Sequence, residues 1–143
     1  MRWATSRDCP IDRAACAWLI RRVVGPAAEF LFVGDPAEVP PGATVFDTAC
    51  AELFHHGGRC SFETMLSHFG VDNPVVWDIS RIVPEADLED EVYDAPEGRG
   101  LDVVLRGLSL VMDDDSLVDV AGHIFDGLYG YRRRALLTGR DPA

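Results

Sequence analysis

The feature that most limits the fold of this chain is a helical pattern near its N-terminus that lies between two strand patterns. Asp8-Cys9-Pro10 is a helix-start signal, and the apolar residues of 11–24 recur at helical spacing until Gly25-Pro26 ends the pattern. Residues 1–7 and Glu29–Val33 are typical of short strands. This pattern predicts the order β-α-β for the start of the chain.

The middle of the chain predicts one further strand and two helices. Residues 43–47 extend the order to β-α-β-β, and helical spacing covers 61–69. The next helix is expected over 73–83, because Pro84 should end it. Residues 84–100 are acidic and irregular, which predicts a loop long enough to suggest a function.

Two helices are predicted for the C-terminal part. Leu101 to Met112 is strongly apolar and is expected to be a central helix. Asp114-Asp115-Ser116 is a cap signal for a long helix over 117–137. The predicted fold is one α+β domain over residues 1–143, with a small, mostly N-terminal sheet against four to five helices.

Composition excludes several functions. Asp and Glu outnumber Lys and Arg by 24 to 13, and the formal charge of -11 disfavours binding to nucleic acid or to an anionic membrane. The four cysteines contain no CxxC pair, and neither a signal peptide nor an apolar membrane span is apparent. We therefore expect a cytoplasmic protein with reduced thiols.

The strongest chemical signal is the stretch 52–63, which places Glu52, His55, His56 and Cys60 close together. These are the usual side-chain types for binding transition metals. In a helix Glu52 shares a face with both histidines, whereas in an extended segment it shares a face only with His56. A His/carboxylate site would suit iron, manganese or zinc. The alternative is a loop whose histidines hydrogen-bond to the backbone.

Further candidates lie at the end of the same stretch or in the acidic region. Cys60 precedes a helix start, where a thiolate is stabilised, although a buried and inert cysteine is the alternative. Glu85 and Asp87 are one residue apart, so they point the same way in an extended segment. They could supply metal ligands or form part of a solvated acidic surface.

Asp126 lies on or beside the apolar face of the last predicted helix, with His123 one turn away. A carboxylate in that position needs a partner because burying it alone is costly. The partner could be a metal ion or an arginine such as Arg13 or Arg22.

Beyond these patterns, the sequence resembles the chromate-resistance protein family, which forms the C-terminal part of chromate-responsive regulators. The segments that carry the resemblance are Ile11–Arg22, His55–Glu63, Ile82-Val83 ahead of Asp87-Leu88, Leu105–Ser109 and Phe125–Tyr129. The chain departs from the family pattern at Ala17, where a proline is expected. It departs again at Pro84, where relatives often carry a histidine ahead of the acidic pair.

The resemblance implies a metal or oxyanion site. It adds candidates that would support the metal or bind an oxyanion: Asp12, Arg13, Cys16, Trp18 and Arg22. An ion pair between Asp12 and Arg22, or between Asp126 and Arg13, is the structural alternative. The winged-helix part of the full regulators is not expected here, so the resemblance implies no direct nucleic-acid binding.

Two functions remain open at this point. The first is a metal-dependent oxidoreductase or hydrolase, in which His55 with Glu52 or His56, together with Asp87 and Asp126, holds a divalent transition metal. The second is a noncatalytic metal or oxyanion sensor, in which binding orders residues 84–100. The expected partners are a metal ion and a small oxyanion or small-molecule substrate, without a membrane, and the sequence leaves a homodimer open.

Overall fold

The fold is α+β, with a small sheet at the N-terminus and five helices in the described part of the chain. The computed structural model describes residues 2–6, 11–34, 38–45, 61–87 and 97–139. Its elements, in chain order, are β1 (Arg2–Ser6), α1 (Ile11–Val23), β2 (Glu29–Val33), β3 (Thr44–Val45), α2 (Ser61–His68), α3 (Pro74–Asp87), α4 (Glu97–Val111) and α5 (Asp114–Thr138). The predicted order β-α-β-β is confirmed.

The three strands form one sheet in the order β2-β1-β3, and both pairings are parallel. Trp3 on the central strand β1 is paired with Phe30 on β2 and with Thr44 on β3. Because both pairings are parallel, all three strands end at the same edge of the sheet.

Helix α1 is the centre of the core. Seven consecutive residues, 14–20, are buried, so this helix is covered on all sides. It packs against α2, α3, α5 and, over a smaller area, α4. Its core cluster includes Trp3 and Phe30 of the sheet, Phe62 of α2 and Phe125 of α5.

The acidic region 84–100 is not one loop, so that prediction is wrong at both ends. Helix α3 continues through Pro84 to Asp87, and α4 already begins at Glu97. The fixed φ angle of proline is helical, so a helix can pass through it, although one hydrogen bond is lost and the ring crowds the carbonyl four residues earlier. Residues 88–96 lie outside the described residues.

Helix α4 is not central, in contrast to the prediction from its apolar sequence. Only Gly98 and Leu105 are buried, while Leu101, Leu108 and Met112 are partly buried against the core. The helix packs through this single face against α3, and less extensively against α5 and α1. Hydrophobic residues on its other face remain exposed to solvent.

Helix α5 begins and ends close to the predicted positions, but its N-cap differs. The cap is Asp113, whose side chain accepts a hydrogen bond from the Ser116 backbone N–H at 2.8 Å. Gly139 ends the helix with φ of 68°, a left-handed conformation that suits glycine. None of the described helices is both long and apolar enough to cross a bilayer.

Candidate functional site

An open cleft of about 480 Å³ separates α1 from α5. Residues three and four positions apart share a helix face, and this spacing brings polar side chains of both helices to the cleft. The lining residues are Trp18, Arg21, Arg22, Val118, Asp119, Gly122, His123 and Asp126. Three of the predicted site residues, Trp18, Arg22 and Asp126, are therefore brought together, as is His123.

Trp18 is the buried aromatic residue of the cleft and holds Asp126. Its ring is stacked between Phe62 and Phe125, with centroid distances of 6.5 and 5.7 Å. The indole Nε1–H donates a hydrogen bond to Asp126 Oδ1 at 2.9 Å. The partner found for this carboxylate is thus an indole N–H, whereas the sequence had suggested a metal ion or an arginine.

Arg22 lies over two aromatic rings at the side of the cleft. Its guanidinium carbon is 4.0 Å from the Tyr129 ring centroid and 5.6 Å from that of Trp18. Such contacts orient the cation. The side chain is exposed, so a solute in the cleft could reach it.

Tyr129 connects Arg22 to Asn73, the residue at the start of α3. Asn73 Nδ2 donates a hydrogen bond to the Tyr129 hydroxyl oxygen at 2.9 Å. This bond is the main reason that the pKa of Tyr129 is lowered, and the positive charges of Arg22 and Arg133 act in the same direction, while partial burial opposes them. The surroundings of the Tyr129 hydroxyl thus favour its ionised form.

Arg21 forms the second cationic contact of the cleft. One guanidinium nitrogen donates to Asp119 Oδ1 at 2.8 Å, and the group lies over the Phe30 ring at 5.0 Å. The Nε atom of Arg21 is buried and has no hydrogen-bond acceptor among the described residues. A buried N–H without an acceptor is costly, so this donor is an unsatisfied group beneath the cleft.

The cleft does not have the character of a metal site. Across the described ranges, no three side chains of His, Cys, Asp or Glu are gathered in a way that could hold an ion. In the cleft, Asp119 is paired with Arg21 and Asp126 with Trp18. Both carboxylates are engaged by donors of the protein.

The remaining predicted residues are distributed elsewhere in the chain. Arg13 lies on α1 and is half-buried, but it does not line the cleft. Glu85 and Asp87 belong to the last turn of α3, and their side chains are not described. The ligand stretch itself lies outside the described residues: Glu52, His55, His56 and Cys60. The predicted metal site therefore stays a prediction.

Residues 3–132 match the family described as ChrB, C-terminal domain. The chain belongs to this family. All residues that line the cleft lie in the matched range, and the resemblance to chromate-resistance proteins is confirmed.

The relative found among characterised proteins is Protein ChrB of Cupriavidus metallidurans. The two sequences are 38% identical over 131 residues, which is 90% of this chain and 40% of the relative. The chain thus corresponds to less than half of that ChrB protein. No solved structure matches the chain.

Sequence reasoning missed four residues at or beside this cleft: Arg21, Asp119, Tyr129 and Asn73. The signal that could have found one of them, Asp119, is its spacing with His123 and Asp126, which places three polar residues on one face of α5. Arg21 on α1 and Asn73 ahead of α3 could not be found in this way, because they are distant from α5 in sequence.

Proposed function

We propose that this domain binds a small tetrahedral oxyanion of the chromate type in the α1–α5 cleft and acts as a noncatalytic sensor. The observation that carries the proposal is the presence of Arg21 and Arg22 at one open cleft of a chain with a formal charge of -11. Such an acidic protein attracts an anion only where cations are gathered locally. The two aspartates of the cleft already accept hydrogen bonds from Arg21 and Trp18.

The donors at the cleft suit an oxyanion. Arginine presents a planar fork of N–H groups that can bind two oxygens at once. Arg22 is held against its rings and is exposed, and Arg21 adds a second guanidinium to the lining of the cleft. The carboxylates of Asp119 and Asp126 would remain engaged in positioning Arg21 and Trp18.

A sensor also needs a change that other parts of the protein can detect. Anion binding would draw the Arg22 guanidinium away from Tyr129, which is held by Asn73 at the start of α3. The contact between Arg22 and Tyr129 therefore offers a route from the cleft to α3. Family membership supports chromate as the anion to test first, because the resemblance is to chromate-resistance proteins.

Equilibrium dialysis of the untagged chain with chromate tests this proposal. Molybdate serves as a second tetrahedral probe that does not oxidise thiols. Arg22→Gln is expected to weaken binding of both anions by roughly tenfold or more, since hydrogen bonds to charged groups are the strong ones. Arg22→Lys should retain part of the affinity because it keeps the charge but loses the fork.

The matched control is Arg106→Gln, which removes the same charge from an exposed arginine. Arg106 pairs with Asp102 on α4 and lies outside the cleft. If the Arg22 and Arg106 variants lost equal anion affinity, the loss would come from the change in net charge and not from a contact in the cleft. A parent chain that binds neither anion would refute the proposal.

A metal-dependent function is the second proposal, and it concerns a different part of the chain. The segment that carries Glu52, His55, His56 and Cys60 lies outside the described residues. The support for a site is the combination of carboxylate, imidazole and thiol groups in this short segment, because these are the usual ligands of transition metals. The group expected is iron, manganese or zinc.

Elemental analysis of untagged protein, purified without added metal, tests this second proposal. His55→Ala should lower the bound metal, whereas His68→Ala should not, because His68 is an exposed residue of α2 that packs edge-on against Phe69. The same metal content in the parent and the His55 variant would refute the assignment.

A further inference from the structure

Helix α4 carries a second apolar face that nothing in the described part of the chain covers. Val103, Val104, Leu110 and Val111 are exposed by 70, 50, 86 and 76%. They lie on the side of the helix opposite to Leu105, the residue that anchors α4 to the core. We call these four residues and Gly107 the α4 stripe.

The stripe has the spacing of a helix–helix seam. Val103 and Leu110 are seven residues apart, as are Val104 and Val111, and Gly107 lies between the two pairs. A repeat of seven keeps one side of a helix against a partner helix. A Cβ atom built at Gly107 would meet nothing within 4 Å, so the backbone is open to close approach there.

We propose that the α4 stripe is the interface of a homodimer in which two α4 helices pack antiparallel about a two-fold axis at Gly107. The stripe is symmetric about this residue. Val103 and Val111 lie four positions on either side, and Val104 and Leu110 lie three positions on either side. An antiparallel second copy therefore places valine against valine and valine against leucine, which is the self-complementarity that a two-fold interface requires.

The size of the stripe is consistent with a reversible dimer. Four largely exposed aliphatic side chains amount to roughly 300 Å² of apolar surface per copy, which is a patch of the size that marks interaction sites. A standard interface buries about 800 Å² per partner, so the stripe would form its centre and polar residues would form its rim. The cleft between α1 and α5 takes no part in this interface, so the dimer is independent of oxyanion binding.

Sedimentation equilibrium of the untagged chain over a range of concentrations tests the dimer. The parent is expected to shift from its monomer mass of 15.7 kDa towards twice that value. Leu110→Asp should weaken the association by more than about tenfold, because it places a charge in the centre of the seam. It should leave the fold intact, since Leu110 is exposed in the monomer.

Leu137→Asp is the matched control, because Leu137 is 71% exposed near the C-terminal end of α5. This variant should associate like the parent. A parent that stays monomeric at all concentrations would overturn the proposal, as would a Leu110→Asp variant that dimerises normally. A monomeric parent that sediments with lipid vesicles would assign the stripe to a lipid surface instead.

Cysteine cross-linking tests the orientation of the helices. Gly107→Cys should form a disulfide with its own copy, because a residue on the two-fold axis faces itself at a distance that a disulfide can bridge. Val103→Cys should cross-link to Val111→Cys in a mixed sample, but not to itself. The parent chain, oxidised in parallel, accounts for its native cysteines. Self-linking of Val103→Cys would show a parallel pair and overturn the antiparallel arrangement.

Discussion

Helices α1 and α4 differ in a way that their sequences do not suggest. Helix α1 contains several alanines and three arginines, yet seven consecutive residues of it are buried. Helix α4 is richer in Val and Leu, yet only Gly98 and Leu105 are buried. The less hydrophobic helix is thus the central one.

This difference shows that the elements packed around a helix, and not its amino-acid composition, decide how much of the helix is buried. Helix α1 follows the central strand and is surrounded by α2, α3 and α5, so even small residues such as Ala14 and Ala17 are covered. Helix α4 lies at the outside of α3, so its second apolar face meets solvent. A surplus apolar face on a peripheral helix indicates an interaction site.

The largest expected effect comes from truncating an aromatic residue of α1. Trp18→Ala should lower the free energy of unfolding by about 4 kcal/mol, because the ring is packed between Phe62 and Phe125 and only 5% exposed. Leu110→Ala on α4 should change it by less than about 0.5 kcal/mol in dilute solution. Urea unfolding measures both values, and similar losses in the two variants would break the contrast between the helices.

A smaller loss of stability is expected from changing Asn73, which tests its hydrogen bonds to Val75 and Tyr129. Asn73→Ala should cost about 1–2 kcal/mol, because Asn73 caps α3 by accepting from the Val75 N–H and donates to Tyr129. Asn73→Asp should cost less, because a carboxylate can still cap the helix. It should also raise the pKa of Tyr129 relative to the parent, since it replaces a donor by a negative charge.

Urea unfolding and ultraviolet titration of the tyrosines measure the two consequences of changing Asn73. Tyr129→Phe identifies which titration belongs to Tyr129. Equal losses of stability in the alanine and aspartate variants would mean that the cap contributes nothing, and that the contact with Tyr129 accounts for the whole effect.

The smallest change in stability is expected at Asp113, which lies between α4 and α5 and caps α5. The pKa of Asp113 lies below its ordinary value of 3.8, mainly because its carboxylate accepts the Ser116 backbone N–H. A lowered folded-state pKa means that the contribution to stability is present above 3.8 and is lost as the pH falls through the lower folded-state value.

Thermal melting of the parent and of Asp113→Asn over this pH range measures the contribution. The asparagine keeps an N-cap acceptor but cannot titrate, so the difference between the two proteins should shrink as the pH falls. A difference that stays constant with pH would show that the charge of Asp113 has no role.

Local patterns predicted most of the secondary structure. The strand Glu29–Val33 was placed correctly, because a run of apolar and aromatic residues between breakers leaves few alternatives. The errors fell at Pro84, at the start of α4 and at the cap of α5. In each case a local signal was ambiguous, since proline can be tolerated in a helix and three consecutive aspartates, 113–115, offer more than one cap.

The candidate site could be predicted only in part. Arg22, His123 and Asp126 were candidates from their residue type and spacing, and they do line one cleft. Their true contacts were not predictable, because Trp18 and Asp126 are 108 positions apart and Arg21 and Asp119 are 98 apart. Contacts between such distant residues depend on how whole helices pack.

The sequence by itself determined the periodicity of the elements, the β-α-β-β order, the net charge and the membership in the ChrB C-terminal domain family. The tertiary structure alone decided that α1 is central, that α4 keeps an open apolar stripe, and that α1 and α5 enclose a cleft lined by two arginines, two aspartates and a histidine. The reason is physical: periodicity records which face of a helix is apolar, but only the packing of its neighbours decides whether that face is covered.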